Sequence, residues 1–144
     1  MSILAKFSEI MAELMIEQGL SSDKLASELG LSGSSVRRWR LGSHNIYLHN
    51  AVRLAEYFNC SLEFLIGRTD VKLDFTPKTC PPFYERLRDV MEENGVTWYK
   101  IVKDGIVSDH NLSVWKKGTS PYLQSVVPIV DYLGLTVDYL VGRE

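Results

Sequence analysis

The sequence is short of cysteine, of long apolar runs and of any large excess of charge of one sign, and each shortage removes a class of function. Its two cysteines, Cys60 and Cys80, sit in different parts of the chain at no metal-ligand spacing, so neither a disulfide framework nor a thiolate metal site is expected. Cys60 reads as a small core hydrophobe and Cys80 as a linker thiol. Three histidines and scattered serines do not cluster at nucleophile or metal spacing, and no glycine loop is built to cradle phosphate. No enzyme, no metal and no cofactor is expected. Acids and lysines interrupt every apolar stretch before it reaches the roughly 18 residues of a membrane span. The N-terminal SILAKFSEIMAELMIEQG is amphipathic and acidic instead of signal-like, which predicts a cytoplasmic protein with no membrane partner. Finally, 16 Lys plus Arg against 18 Asp plus Glu leave a net charge of −2. No global basic field draws the chain to nucleic acid, so any such binding must come from local segregation of charge.

That segregation is present. Between Gly33 and Arg53 the chain carries Arg37, Arg38, Arg40 and Arg53 with no acid, whereas Glu9, Glu13 and Glu17 fall on the first predicted helix. The basic cluster lies in Leu20 to Gly42, LSSDKLASELGLSGSSVRRWRLG. Leu25, Ala26 and Leu29 repeat at helical spacing, and Gly30 permits the positive φ that ends a helix. Ser32 is a good N-cap for a second helix, which carries Val36 and Trp39 three residues apart and so buries one face. At about 100° per residue the side chains opposite that face are Ser34, Arg37, Arg38 and Leu41. Two helices joined by a tight turn, with arginines outward on the second, form a helix-turn-helix that presents donors to the major groove.

At these residues the chain resembles the Cro/repressor-type helix-turn-helix family, the lambda-repressor-like or xenobiotic-response-element fold. Members carry a small or polar cap, Leu-Ala in the first helix, Gly-hydrophobic-Ser at the turn and Val-x-x-Trp-x-x-Gly in the second. Here these are Ser21, Leu25, Ala26, Gly30, Leu31, Ser32, Val36, Trp39 and Gly42. Where the family often places a phosphate-touching Gln after the first cap, this chain has Ser22, and a weaker contact is expected there. The resemblance implies double-stranded DNA as partner, a regulator of bacterial or phage type, and a two-fold homodimer.

The surrounding pattern fits five short helices. Leu4, Phe7, Ile10, Met11, Leu14 and Met15 mark the first, ending at Gly19; Leu48 to Phe58 mark a fourth, and Leu62 to Ile66 a fifth ending at Gly67. Thr69 to Pro82 then breaks the periodicity with three prolines and an alternating Val71, Leu73, Phe75. This predicts an extended linker, a short strand or a segment packed on one domain. Its 14 residues reach at most about 46 to 50 Å.

From Phe83 the chain repeats itself. Phe7, Glu9, Met15, Gly19, Lys24, Ser32, Trp39 and Gly42 recur 76 positions later as Phe83, Glu85, Met91, Gly95, Lys100, Ser108, Trp115 and Gly118. After a one-residue deletion, Tyr47, Val52, Tyr57, Leu65, Gly67 and Arg68 recur 75 positions later as Tyr122, Val127, Tyr132, Leu140, Gly142 and Arg143. A repeat this long is a duplicated domain. The fold expected is all-α: two tandem five-helix lambda-repressor-like domains at 1–68 and 83–144, joined by the linker 69–82.

The copies differ where they would meet DNA. Outward positions of the second copy are His110, Ser113, Val114 and Lys117, and Asp109 stands in place of Gly33, where a carboxylate repels phosphate. Gly105-Ile106 replaces Leu29-Gly30, which alters the turn. Pro128 falls inside the fourth helix of the copy, so that helix either starts late with Ser125 as its cap or kinks. Arg37 and Arg38 are the candidate base readers, since an arginine places two bonds on guanine O6 and N7; phosphate contact alone is the plainer role for them. Ser34 can join them. Ser22, Ser32, Arg40 and the backbone near Gly42 are placed for phosphate. In the second copy His110 and Ser113 face outward, and Lys116 and Lys117 can grip backbone. Trp98 and Tyr99 form an apolar patch suited to a protein, which favours a second reading: an antitoxin-like or anti-repressor-like adaptor whose second domain binds protein. Val137, Leu140 and Val141 either supply the homodimer contact or belong to the core. The tandem copies could also act as a single-chain pseudo-dimer, although their unlike outward residues do not suit a palindrome.

Overall fold

Hydroxyl side chains set where most of the helices begin. Ser21, Ser32 and Ser61 each accept a hydrogen bond from the backbone N–H three residues on, at 3.1, 3.2 and 3.0 Å. Their repeat partners Thr97, Ser108 and Thr136 do the same at 3.1, 3.0 and 3.0 Å. Each cap satisfies one of the donors that a helix start leaves bare. The computed structural model describes residues 2–72 and 78–144. Within them the chain is all-helical, with ten helices and no β-strand. These are α1 (Ile3–Glu17), α2 (Ser22–Leu29), α3 (Gly33–Leu41), α4 (Leu48–Tyr57), α5 (Leu62–Leu65), α6 (Phe83–Glu93), α7 (Trp98–Lys103), α8 (Asp109–Lys116), α9 (Leu123–Leu133) and α10 (Val137–Val141).

The chain divides into two compact units, Met1–Ile46 with Asn50–Asp74, and Tyr47–His49 with Phe75–Glu144. Of the expected linker, Val71 is exposed; Leu73, Phe75 and Pro77 lie outside the described residues. The core of the first unit joins Phe7, Met11, Leu14 and Met15 of α1 to Leu25 and Ala26 of α2, Val36 and Trp39 of α3, and Ala51, Leu54 and Phe58. One polar tie sets α3 against α1: the buried Ser8 hydroxyl donates to the carbonyl of Trp39. Gly42 follows at φ +74°, and a Cβ there would stand 3.2 Å from Ser8 Oγ. Glycine therefore serves both the left-handed helix end and the close approach of α1.

The second unit repeats the plan with other atoms. Leu87, Val90 and Met91 of α6, Ile101, Trp115, Val126, Ile129 and Val130 are buried, and Phe83 meets Trp115 edge to face at 5.2 Å between ring centroids. Val137, Leu140 and Val141 are buried as well. They are core, and the expected homodimer contact through them is not available on the surface, because a short terminal helix buries its apolar side against its own bundle. The fourth helix of this unit starts at Leu123 with Tyr122 as its N-cap, not late at Ser125, and runs on through Pro128. The proline nitrogen leaves the carbonyl of Gln124, four residues back, without its usual helical donor.

Each unit closes with an ion pair at equivalent positions. Arg68 Nε meets Glu63 at 2.8 Å with the side chains 33% and 12% exposed, whereas Arg143 Nη1 meets Asp138 at 2.8 Å with them 6% and 1% exposed.

Candidate nucleic-acid interface

The first unit builds its outward face from two helices held at a three-residue turn. Leu29 ends α2, Gly30 takes φ +68°, and Ser32 caps α3. Burial of Val36 and Trp39 fixes the rotation of α3. Ser34, Arg37, Arg38, Arg40 and Leu41 are consequently exposed. Arg38 and Arg40 have no ion pair among the described residues. Both lie in the last turn of α3, where a cation also suits the helix dipole. Ser32 is exposed but engaged: besides accepting from Ser35, its hydroxyl donates to Ser35 Oγ at 2.8 Å, so phosphate must compete for it.

Two expectations change. Ser22, the first residue of α2, is only 7% exposed, which leaves its side chain little surface to offer a phosphate. Arg53, counted in the basic stretch, donates from Nη2 to the carbonyl of Leu29. It closes the C-terminal end of α2 and is not a free surface cation. One residue escaped the sequence reading altogether. Asp23, exposed in the first turn of α2, accepts from Arg37 Nη1 at 2.9 Å. A contact 14 residues apart across a turn leaves no periodic signal; the only hint was Gly33, whose missing Cβ makes room for it.

The corresponding face of the second unit is chemically different. Its turn takes five residues, 104–108, because α7 ends at Lys103 and Gly105 takes the positive φ of +74°. His110, Ser113, Lys116 and Lys117 are exposed on or beside α8. Beside them Trp98, Tyr99, Val102, Lys103, Asp109 and Leu112 line a groove of about 400 Å³. Tyr99 is 74% exposed, and Trp98 stacks on Tyr84 at 5.1 Å. Behind this face Tyr132 donates to Asp104 at 2.7 Å and Lys100 pairs with the same carboxylate at 3.1 Å. The Tyr132 hydroxyl, and then Lys100, hold the Asp104 carboxyl below its ordinary value.

The geometry of α2 and α3 defines the class of the first unit: a helix-turn-helix DNA-binding domain. Residues 11–65 match the family model described as helix-turn-helix, and the match does not extend to the second unit. No curated protein and no solved structure matches the chain. Among the described residues no helix is long and apolar enough to cross a membrane, and no three His, Cys, Asp or Glu side chains gather as metal ligands.

Proposed function

We propose that this chain is a cytoplasmic, sequence-specific transcriptional repressor. A DNA-binding domain at 1–68 is joined by the linker 69–82 to a divergent copy at 83–144. The observation that carries the reading is α3 itself: in a helix-turn-helix setting it exposes Arg37, Arg38 and Arg40 and no acid. Arg37 and Arg38 read bases in the major groove, Ser34 assists, and Ser32 and Arg40 hold phosphates. Two chains read a two-fold site whose half-sites lie about 34 to 36 Å apart.

Binding-site selection with the purified protein tests this. It should return a palindromic sequence. Affinity for that sequence should fall by about 1 to 3 kcal/mol on Arg37→Ala or Arg38→Ala, with preference relaxed at one or two positions. Uniform weakening on all sequences would reduce both arginines to phosphate contacts.

The aromatic groove beside Tyr99 supports a second reading, an adaptor whose second domain holds a protein. Under it the chain would show no retention on nonspecific DNA at low salt, whereas a repressor is retained and released steeply as salt rises.

A further inference from the structure

We propose that Asp23 is a specificity-determining residue: its carboxylate holds the Arg37 guanidinium in the orientation that meets a base. The inference rests on the reading of α3 as the helix that enters the groove. Arginine carries five N–H donors in one plane. Arg37 gives one of them, on Nη1, to Asp23 Oδ1 at 2.9 Å. Among the described residues nothing accepts from its Nε and Nη2 edge, and two parallel donors are what guanine O6 and N7 accept. A long, rotamer-rich side chain thus arrives at DNA already aimed, and less freedom is lost on binding.

The pair does not act as a stability device. Its side chains are 52% and 79% exposed, and ion pairs in such settings contribute little. A carboxylate on a DNA-facing surface also repels phosphate, so Asp23 weakens attraction to DNA of any sequence. Its benefit lies in selectivity.

Gly33 is the third member. A Cβ on Gly33 would collide with Asp23 Oδ1 and stand 3.2 Å from Arg37 Nη1. Its backbone is helical, without positive φ, so nothing in the fold demands glycine; the space it leaves is taken by the ion pair. In the second copy all three positions differ together: Tyr99 for Asp23, Asp109 for Gly33 and Ser113 for Arg37.

The test uses the full chain and its selected site, with single base-pair changes at the position that Arg37→Ala relaxes. The intact chain should discriminate there by about tenfold. Asp23→Ala should bring this to about threefold or less while leaving other positions and the melting temperature unchanged and raising nonspecific binding. Gly33→Ala keeps both charges but forces the carboxylate aside, and should relax the same position. Asp23→Glu should restore part of the preference. Full tenfold discrimination by Asp23→Ala and Gly33→Ala would overturn the inference and leave the repressor reading intact. If Arg37→Ala relaxes no position, the inference falls and Arg38 carries the reading; a chain that selects no sequence removes both.

Discussion

The third helix of the first unit and its counterpart in the second share a cap, a buried tryptophan and a place in the bundle, yet they differ in every property that matters to DNA. Arg37, Arg38 and Arg40 give α3 a charge of +3, whereas Asp109 and Lys116 cancel in α8. Arg53, which closes α2 in the first unit, is Pro128 in the second. Ser8, which ties α1 to α3, is Tyr84, which stacks instead on Trp98. Hydroxyl caps and buried positions recur in both units, whereas the outward positions of α3 and α8 differ. A shared fold is therefore no argument for a shared ligand.

The sharpest structural contrast lies in the closing ion pairs. Removing one partner of a buried pair strands the other charge. Arg143→Ala should accordingly destabilise the second unit by about 3 to 5 kcal/mol, whereas Arg68→Ala, at a pair whose arginine is 33% exposed, should lower the first by less. Hydrogen exchange on the intact chain reads the units separately, and equal losses would erase the distinction. Ser8→Ala comes next. It removes one of two donors to the Trp39 carbonyl, which keeps the Gly42 N–H at 3.1 Å, and should lower first-unit stability by about 1 kcal/mol, with exchange accelerating at the C-terminal end of α3.

The smallest effect is acid-dependent and confined to the second unit. Because the folded carboxyl of Asp104 lies below its ordinary value of 3.8, its stabilising contribution is present above that value. It is lost as pH falls through the lowered one. Tyr132→Phe removes the main cause and should flatten this acid response. An unchanged response would show that Lys100 alone holds the carboxylate.

Much of this was legible in the sequence because it is local. Hydroxyl caps, helical spacing of Val36 and Trp39, positive-φ glycines and the offset of the repeat all act within a few residues or recur at a fixed distance. The misreadings share a different origin. Arg53 and Asp23 owe their roles to neighbours on another helix, at separations where no periodicity operates. Val137, Leu140 and Val141 look alike in sequence whether they face a bundle or a partner, and only packing distinguishes the two. Pro128 lacks a backbone donor, yet the helix runs through it from Leu123 to Leu133.

The central claim is that α3, and not α8, carries the affinity for DNA. Titration of the selected site, followed by fluorescence anisotropy at one salt concentration, compares the intact chain with Arg37→Ala/Arg38→Ala and His110→Ala/Lys117→Ala. A loss of about 30-fold or more is predicted for the first pair and less than about threefold for the second. An equal or larger loss from the α8 pair would contradict the account.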